Sequence, residues 1–399
     1  MSIIANSVMN RESHSRKAGQ KAAQELRHAF GANAIRGVLV YASVAHDSDA
    51  LLAAIEAELP GVALCGSSTA GLMWSGGFAE EYGYLVGMIG FGGEGLSIAT
   101  ASALKYQEDS QIKAKELASK LRNGVLSPPK LVILFGDPLA GADLESFART
   151  IETELSCPVI GGGSGQPWGA MVETYQFSGA QAHSHSATAL ALAGDFSVAI
   201  ATTTGTQPTM ASSTVTKSEA NVILELDGRP ALDVYATFVG VNPLTELTNE
   251  INSRIALGFE LRVQEQAADS LSPYVVRGPF GLDLARKGLV MGASAPEGTR
   301  VVLHRRSVQT TLEGAEQTAR ALLARLEGRT PKAVLGFECA ARTAPLLGAQ
   351  VSRQEQEVVQ NILGRGAAWL GMLAWGELAP YGGCTTYFNY TYPIAVLTD

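Results

Sequence analysis

The stretch "VLVYASVAHDSDALLAAIEAELPGVALCGSSTAG", residues 38–71, decides how this chain is read. It opens on an apolar run rich in β-branched and aromatic residues, the composition of a buried strand. A short loop follows with Asp47 and Ser48, side chains of the kind that cap helix starts. "DALLAAIEAEL" then has helical spacing, and "GVALCGSSTAG" reads as a second strand running into a turn of glycine and small polar residues. Strand, helix and strand in that order form a crossover unit, with both strands in one sheet and a right-handed connection.

The pattern returns as "VILFGDPLAGADLESFARTIETELSCPVIGGGSG", residues 132–165. Leu59 matches Leu155 and Ser68 matches Ser164. The copies differ by two residues in the loop before the helix, where insertions are tolerated. A weaker third copy is built from "KAVLGFECAA", the helical "RQEQEVVQNILG" ending at Gly364, and "GMLAWGELAP". In each copy the second strand ends in a turn filled with glycine and small polar groups. Between the copies lie alternating stretches such as "YQFSGAQAHSHSATALALAG", "NVILELDGRPALDVYATFVG" with its Asp227-Gly228 turn, "EINSRIALGFELR", "YVVRGPFGLD" and "TRVVLHRRS". The expected fold is mixed α/β, with repeated strand-helix-strand units and additional antiparallel strands in two halves. The division is a leading helix over 1–36, ending at Gly31, an N-terminal region 37–240 and a C-terminal region 241–399.

Composition narrows the function. The chain is 46% hydrophobic and 17% charged, with 43 glycines, which marks a well-buried globular protein with many tight turns. Its net charge of -8, without clustered Lys or Arg, argues against nucleic acid. The apolar stretch "YLVGMIGFGGEGLSIATASAL" is too interrupted by glycine and Glu94 to span a bilayer, so no membrane association is expected. Cys65, Cys157, Cys339 and Cys384 form no Cys-x-x-Cys pair, and the opening residues do not read as a charged-then-apolar signal peptide; reduced thiols in a cytoplasmic protein are expected.

The pieces "LCGSSTAG", "PVIGGGSG", "EANVILELDGRPALDVY", "GFECAAR" and "WGELAP" followed by "TTYFNYTYPIAVL" resemble, in family order, the FIST sensory proteins. Where that family usually has "GC[ST]TAGE", this chain has "GSSTAGL", with Leu72 in place of the acidic residue. Where it has "YGEIGP", this chain has Trp375-Gly376-Glu377-Leu378-Ala379-Pro380. The resemblance implies an intracellular, non-catalytic sensor that binds a small ligand for signal transduction, with a histidine kinase or other signalling protein as partner. Some relatives resemble haem-binding nitric oxide sensors, which makes haem an alternative cofactor.

Several constellations carry possible chemistry. The glycine run at 161–165 could bring backbone amides close to an anion, but neither G-x-x-x-x-G-K-[ST] nor G-x-G-x-x-G is completed. No G-x-S-x-G elbow is present, and no histidine lies close in sequence to any cysteine. An enzyme using the glycine turns and a cysteine is the alternative from another class. His183 and His185, two apart in an expected strand, would face one side and could serve a metal or haem iron, with His46 next in line. The same spacing also suits the polar face of an exposed strand. Glu338 and Glu377 each end an apolar strand, near Arg342. They could form a structural ion pair with it or hold a small zwitterionic ligand. The preferred reading places Gly66, Ser67, Ser68, Thr69, Gly162, Gly163, Ser164, Arg342, Glu377 and Tyr381 around one ligand pocket between the halves, with Glu377 holding the ligand or bracing the pocket and Tyr381 closing over it.

Overall fold

The computed structural model describes residues 3–80, 83–167, 172–240, 248, 251, 254–261, 271–343, 347, 348 and 350–399. The two ends of "EINSRIALGFELR" and the tail of the 161–169 glycine turn lie outside these residues.

Three units of one plan make up most of the chain. The first begins with a strand that the sequence reading missed, β1 (Ile4–Asn10), ahead of the leading helix α1 (Ser15–Phe30), which stops at Gly31 with φ 59°. The expected crossover follows: β2 (Ile35–Ala42), α2 (Ser48–Glu58) and β3 (Ala63–Ser68). Asp47 caps α2, its carboxylate accepting from the Ala50 N–H. A hairpin, β4 (Gly71–Trp74) and β5 (Gly77–Glu80), and a returning strand β6 (Val86–Gly92) complete the unit.

The second unit repeats this with β7 (Ser97–Leu104), α3 (Ser110–Gly124), β8 (Leu131–Gly136), α4 (Leu144–Leu155) and β9 (Val159–Gly163). Its hairpin is β10 (Gln176–Ser178) and β11 (Gln181–His183), and its return strand is β12 (Ser186–Ala193). The third unit opens with β13 (Ser197–Ala201) and is then interrupted. The interruption holds β14 (Gln207–Glu219), β15 (Val222–Leu226), β16 (Arg229–Pro230), α5 (Ala231–Val239), β17 (Ile255–Glu260), β18 (Tyr274–Arg277), β19 (Pro279–Asp283), β20 (Gly288–Met291) and β21 (Arg300–Arg305). The unit resumes with α6 (Val308–Leu326), β22 (Ala333–Cys339), α7 (Val351–Leu363), β23 (Ala368–Ala374), β24 (Glu377–Tyr381), β25 (Cys384–Phe388) and β26 (Ile394–Thr398).

Each unit builds a six-stranded sheet of the same order: β1-β6-β2-β3-β10-β11, β7-β12-β8-β9-β24-β25 and β13-β26-β22-β23-β4-β5. The crossover pairs β2/β3, β8/β9 and β22/β23 are parallel, and their neighbours run antiparallel. The last two strands of every sheet come from another unit. The first unit's hairpin completes the third sheet, the second unit's completes the first, and the third unit's completes the second. An open edge on β3, β9 or β23 would expose a row of unpaired backbone groups. The cyclic exchange covers all three edges and ties the units into a ring.

Both faces of the crossover strands are apolar, as expected of sheets buried on both sides. Leu39 and Tyr41, Ile133 and Phe135, Leu335 and Phe337 point to one shared centre, whereas Val38 and Val40, Val132 and Leu134, and Val334 pack into three separate outer cores with helix residues. Register corrects one match made from the sequence. Ala42 pairs with Ser68, and Gly136 pairs with Gly163. The next residues, Thr69 and Ser164, donate their N–H groups to Ala42 and Gly136, so Ser164 corresponds to Thr69 and not to Ser68. A one-residue difference before the second strand produces the offset.

The interruption forms its own sheet, β18-β17-β21-β14-β15-β20-β19, with β16 beside β15. It sits where the other two units pass directly from edge strand to helix. The expected division at 240/241 therefore falls within the inserted segment and not between the units.

Candidate functional site

The three turns that end the crossover strands meet. Thr69 Oγ1 accepts from the Leu373 N–H (3.1 Å) and lies 2.7 Å from the Gly71 carbonyl. The Gly165 N–H donates to Ser68 O (2.9 Å), the Gly163 N–H to Gly376 O (2.9 Å), and the Trp375 N–H to Gly163 O (3.0 Å). Ser67 Oγ donates to Ser68 O and faces Met372 Sδ; Ser68 Oγ accepts from the Tyr175 N–H; Ser164 Oγ accepts from Gln176. Ser67, Ser68, Thr69 and Ser164 are buried. Gly66–Thr69 and Gly162–Ser164 thus come together with the start of β24, and their hydroxyls and amides bond largely to one another.

The carboxylates are placed differently from the sequence expectation. Arg342 is buried and pairs with Glu355 of α7, a residue the sequence reading did not single out. Its remaining donors go to Tyr390 O (2.6 Å) and Thr311 O (3.2 Å). Glu377 Oε2 accepts from the Thr391 N–H and hydroxyl at 3.1 and 2.9 Å, while Oε1 has no hydrogen-bond partner among the described residues. Burial pushes the Glu377 carboxyl up to about 8. Glu338 is fully buried with neither oxygen hydrogen-bonded among the described residues; burial, and then the charge of Glu355, hold it well above the carboxylate range. Tyr381 stands apart from Glu377. The two residues sit at opposite ends of β24, and the Tyr381 hydroxyl donates to Ser272 O (2.8 Å) and accepts from the Ser272 N–H (2.6 Å).

Tyr381 instead lines a cleft of about 630 Å³ between the inserted sheet and the second unit. One wall is Phe259, Leu261, Val275, Pro296, Thr299 and Arg300 of the insertion; the other is Tyr381, Gly382, Cys384 and Thr386 of the β24–β25 hairpin, with Glu145 and Arg149 of α4. Arg277 of β18 fastens the two sides. It donates to Glu145 Oε1 (2.8 Å), Tyr387 O (3.1 Å) and Ser294 O (2.7 Å), and its guanidinium stands 5.4 Å from the Phe259 ring centroid. A second cleft of about 490 Å³ along α3 and α4 shares Glu145, Arg149 and Ser294 with the first. None of the other residues expected around a ligand lines either of these two clefts.

Comparison with known families matches residues 37–229 to the FIST N domain and residues 231–380 to the FIST C domain. The chain belongs to the FIST family. FIST domains are sensory, ligand-binding domains in signal transduction. No curated protein matches. Among solved structures the chain is similar to a cyanuric acid hydrolase from A. caulinodans, at 9% identity and a TM-score of 0.38 over 99% of both chains, a level that bears on neither substrate nor activity.

In this FIST chain the histidine pair does not fit the iron ligation that some relatives suggested. β11 ends at His183, and His185 has left-handed backbone (φ 49°), so strand alternation does not carry both rings to one face. The His185 ring is 59% exposed, with Nδ1 3.9 Å from the Asp137 carboxylate. His46, next in line, is buried with Nδ1 3.3 Å from Ser15 Oγ, its ring edge-on to Tyr84, and burial lowers its pKa. No group of three or more His, Cys, Asp or Glu among the described residues is placed to hold a metal ion. No helix among them is long and apolar enough to cross a membrane.

The cleft residues were mostly absent from the sequence reading. Glu145 and Arg149, four apart on a helix, carry a detectable signal, since that spacing places them side by side. Arg277 could have been noticed as a charge closing the apolar run "YVVR". Phe259 carried no signal beyond strand periodicity.

Proposed function

We propose that this FIST protein is a non-catalytic sensor whose small ligand enters the cleft between the inserted sheet and the β24–β25 hairpin. The observation that carries the reading is the junction itself. The inserted sheet and the hairpin, which also share the central core, face each other across about 630 Å³ and are bridged there by the buried Arg277. Ligand pockets run about 300–1,000 Å³ and favour such boundaries. A ligand touching both walls changes the fit of the insertion on the ring, a movement that a signalling partner such as a histidine kinase can read. The three central turns are assigned the role of holding the ring closed, which keeps the hairpin wall rigid.

Cys384 offers a direct test. It lines the cleft and is partly exposed, whereas the other three thiols are buried. Alkylation at Cys384, followed by mass spectrometry, should slow in the presence of any small molecule that raises the melting temperature. A compound that stabilises the protein without slowing Cys384 alkylation would place the ligand elsewhere.

A further inference from the structure

The cleft reading leaves open what the ligand is, and the charges of the cleft narrow it. Three arginines line it, Arg149, Arg277 and Arg300, against two carboxylates, Glu145 and Glu260. This excess of positive charge sits in a protein whose net charge is -8. Arg300 is offset by Glu260 at 3.4 Å. Glu145 is approached by both Arg277 (2.8 Å) and Arg149 (3.1 Å), so one carboxylate serves two guanidiniums.

Of the two guanidiniums on Glu145, Arg149 is the one open to solvent, with Glu152 nearby on the Thr385 N–H. Arg277 is 7% exposed, and its Nε, Nη1 and Nη2 all have acceptors. The Arg149 side chain is 46% exposed; Nε donates to Thr385 O (2.7 Å) and Nη2 to Glu145, while Nη1 has no partner among the described residues. That leaves a planar donor, pre-set by two bonds to α4 and the hairpin, at the edge of the cleft. Beyond it Phe259, Leu261, Val275 and Pro296 supply apolar surface. Guanidinium forks suit planar carboxylates better than ammonium groups do.

Building on the cleft reading, we infer that the ligand is an organic monoanion, a carboxylate on an apolar or aromatic body, with the carboxylate on Arg149 and the body against Phe259 and Val275.

The test uses three probes of one shape and different charge: phenylacetate, 2-phenylethanol and 2-phenylethylammonium, titrated calorimetrically into the full chain. Phenylacetate should bind at least tenfold more tightly than the other two. Arg149→Gln should weaken it at least tenfold with the alcohol unchanged. Arg149→Lys, which keeps the charge and loses the fork, should fall between. Protein alkylated at Cys384 should bind none of the probes. If the alcohol or the amine binds as well as phenylacetate and Cys384 alkylation blocks it, the monoanion inference is overturned and the cleft reading stands. Phenylacetate binding that survives both Arg149→Gln and Cys384 alkylation overturns the cleft reading itself. No phenylacetate binding at millimolar concentration overturns the inference.

Discussion

Arg277 Nη2 lies 2.8 Å from Glu145 Oε1, both side chains being 7% exposed, and this pair ties the inserted sheet to the second unit. The two residues are far apart in the chain and belong to elements that share no sheet. Their contact adds to the shared apolar core and to the Asn389 N–H bond to Val276 O in fastening the insertion to the ring.

Breaking the pair from one side leaves a buried charge. Arg277→Ala should destabilise the protein by about 3 kcal/mol, the low end for a buried pair, because Glu145 keeps Arg149 and the Tyr387 N–H as partners. Urea unfolding measures the loss. Cys384 alkylation in native buffer should speed up, because the clamp at the rear of its cleft is gone. Unchanged alkylation would show that the insertion is held without Arg277.

Glu377 predicts a pH dependence. Its folded pKa, raised to about 8 by burial, exceeds the ordinary carboxyl value, so the folded state binds the proton more tightly than the unfolded chain. The stability from that proton is complete below the unfolded pKa. It is lost as pH rises through about 8, at up to about 1.4 kcal/mol per pH unit. Glu377→Gln, neutral at every pH, should make the decline between pH 5 and about 8 shallower by up to about 1.4 kcal/mol per pH unit, leaving the part that Glu338 contributes, and give the more stable protein at the upper end. Parallel curves for the two proteins would assign the decline to other groups.

Glu338 and Glu355 should behave oppositely although both are fully buried. Glu338 makes no hydrogen bond among the described residues, and burial raises its pKa well above the carboxylate range, so the neutral Glu338→Gln should change stability by no more than about 1 kcal/mol. Glu355→Gln strands the Arg342 guanidinium and should cost about 3 kcal/mol or more. Equal losses in chemical denaturation would contradict the pairing.

Three equivalent glycines test the repeat. Gly66, Gly161 and Gly371 lie opposite Val40, Leu134 and Gly336 in the three parallel pairs. A Cβ would fall 1.8 Å from Val40 O at Gly66 and 2.0 Å from Leu134 O at Gly161, but 3.0 Å from Gly336 O and 2.7 Å from the movable tip of Met73 at Gly371. Alanine should therefore cost about 3 kcal/mol at the first two positions and clearly less at the third. Thermal melts that rank Gly371→Ala as the worst would refute this ordering.

Local pattern was enough to find the units. The helices over Ser48–Glu58 and Leu144–Leu155 follow from apolar spacing and from Asp47 and Asp143, whose carboxylates accept from N–H groups of the first turn. The crossover helix of the third unit, α7, ends at Gly364, whose φ of 90° glycine adopts without strain. β1 escaped because "IANSVMN" mixes polar and apolar residues without a clean period, as befits a half-buried edge strand. The histidine pair misled because strand alternation was extended across a bend at 184–185.

The three crossover units, their helices and their glycine-rich turns are legible in the chain, because each depends on residues a few positions apart. It also placed Glu338, Arg342 and Glu377 near one another in the third unit. Folding alone settles which unit each hairpin completes, that Arg342 answers Glu355, and that the cleft opens beside Cys384 at the far end of the last hairpin. Those outcomes depend on which open strand edge lies within reach and which buried charge lacks a partner. Neither is fixed by local spacing, because each is settled only when distant segments compete for the same hydrogen bonds.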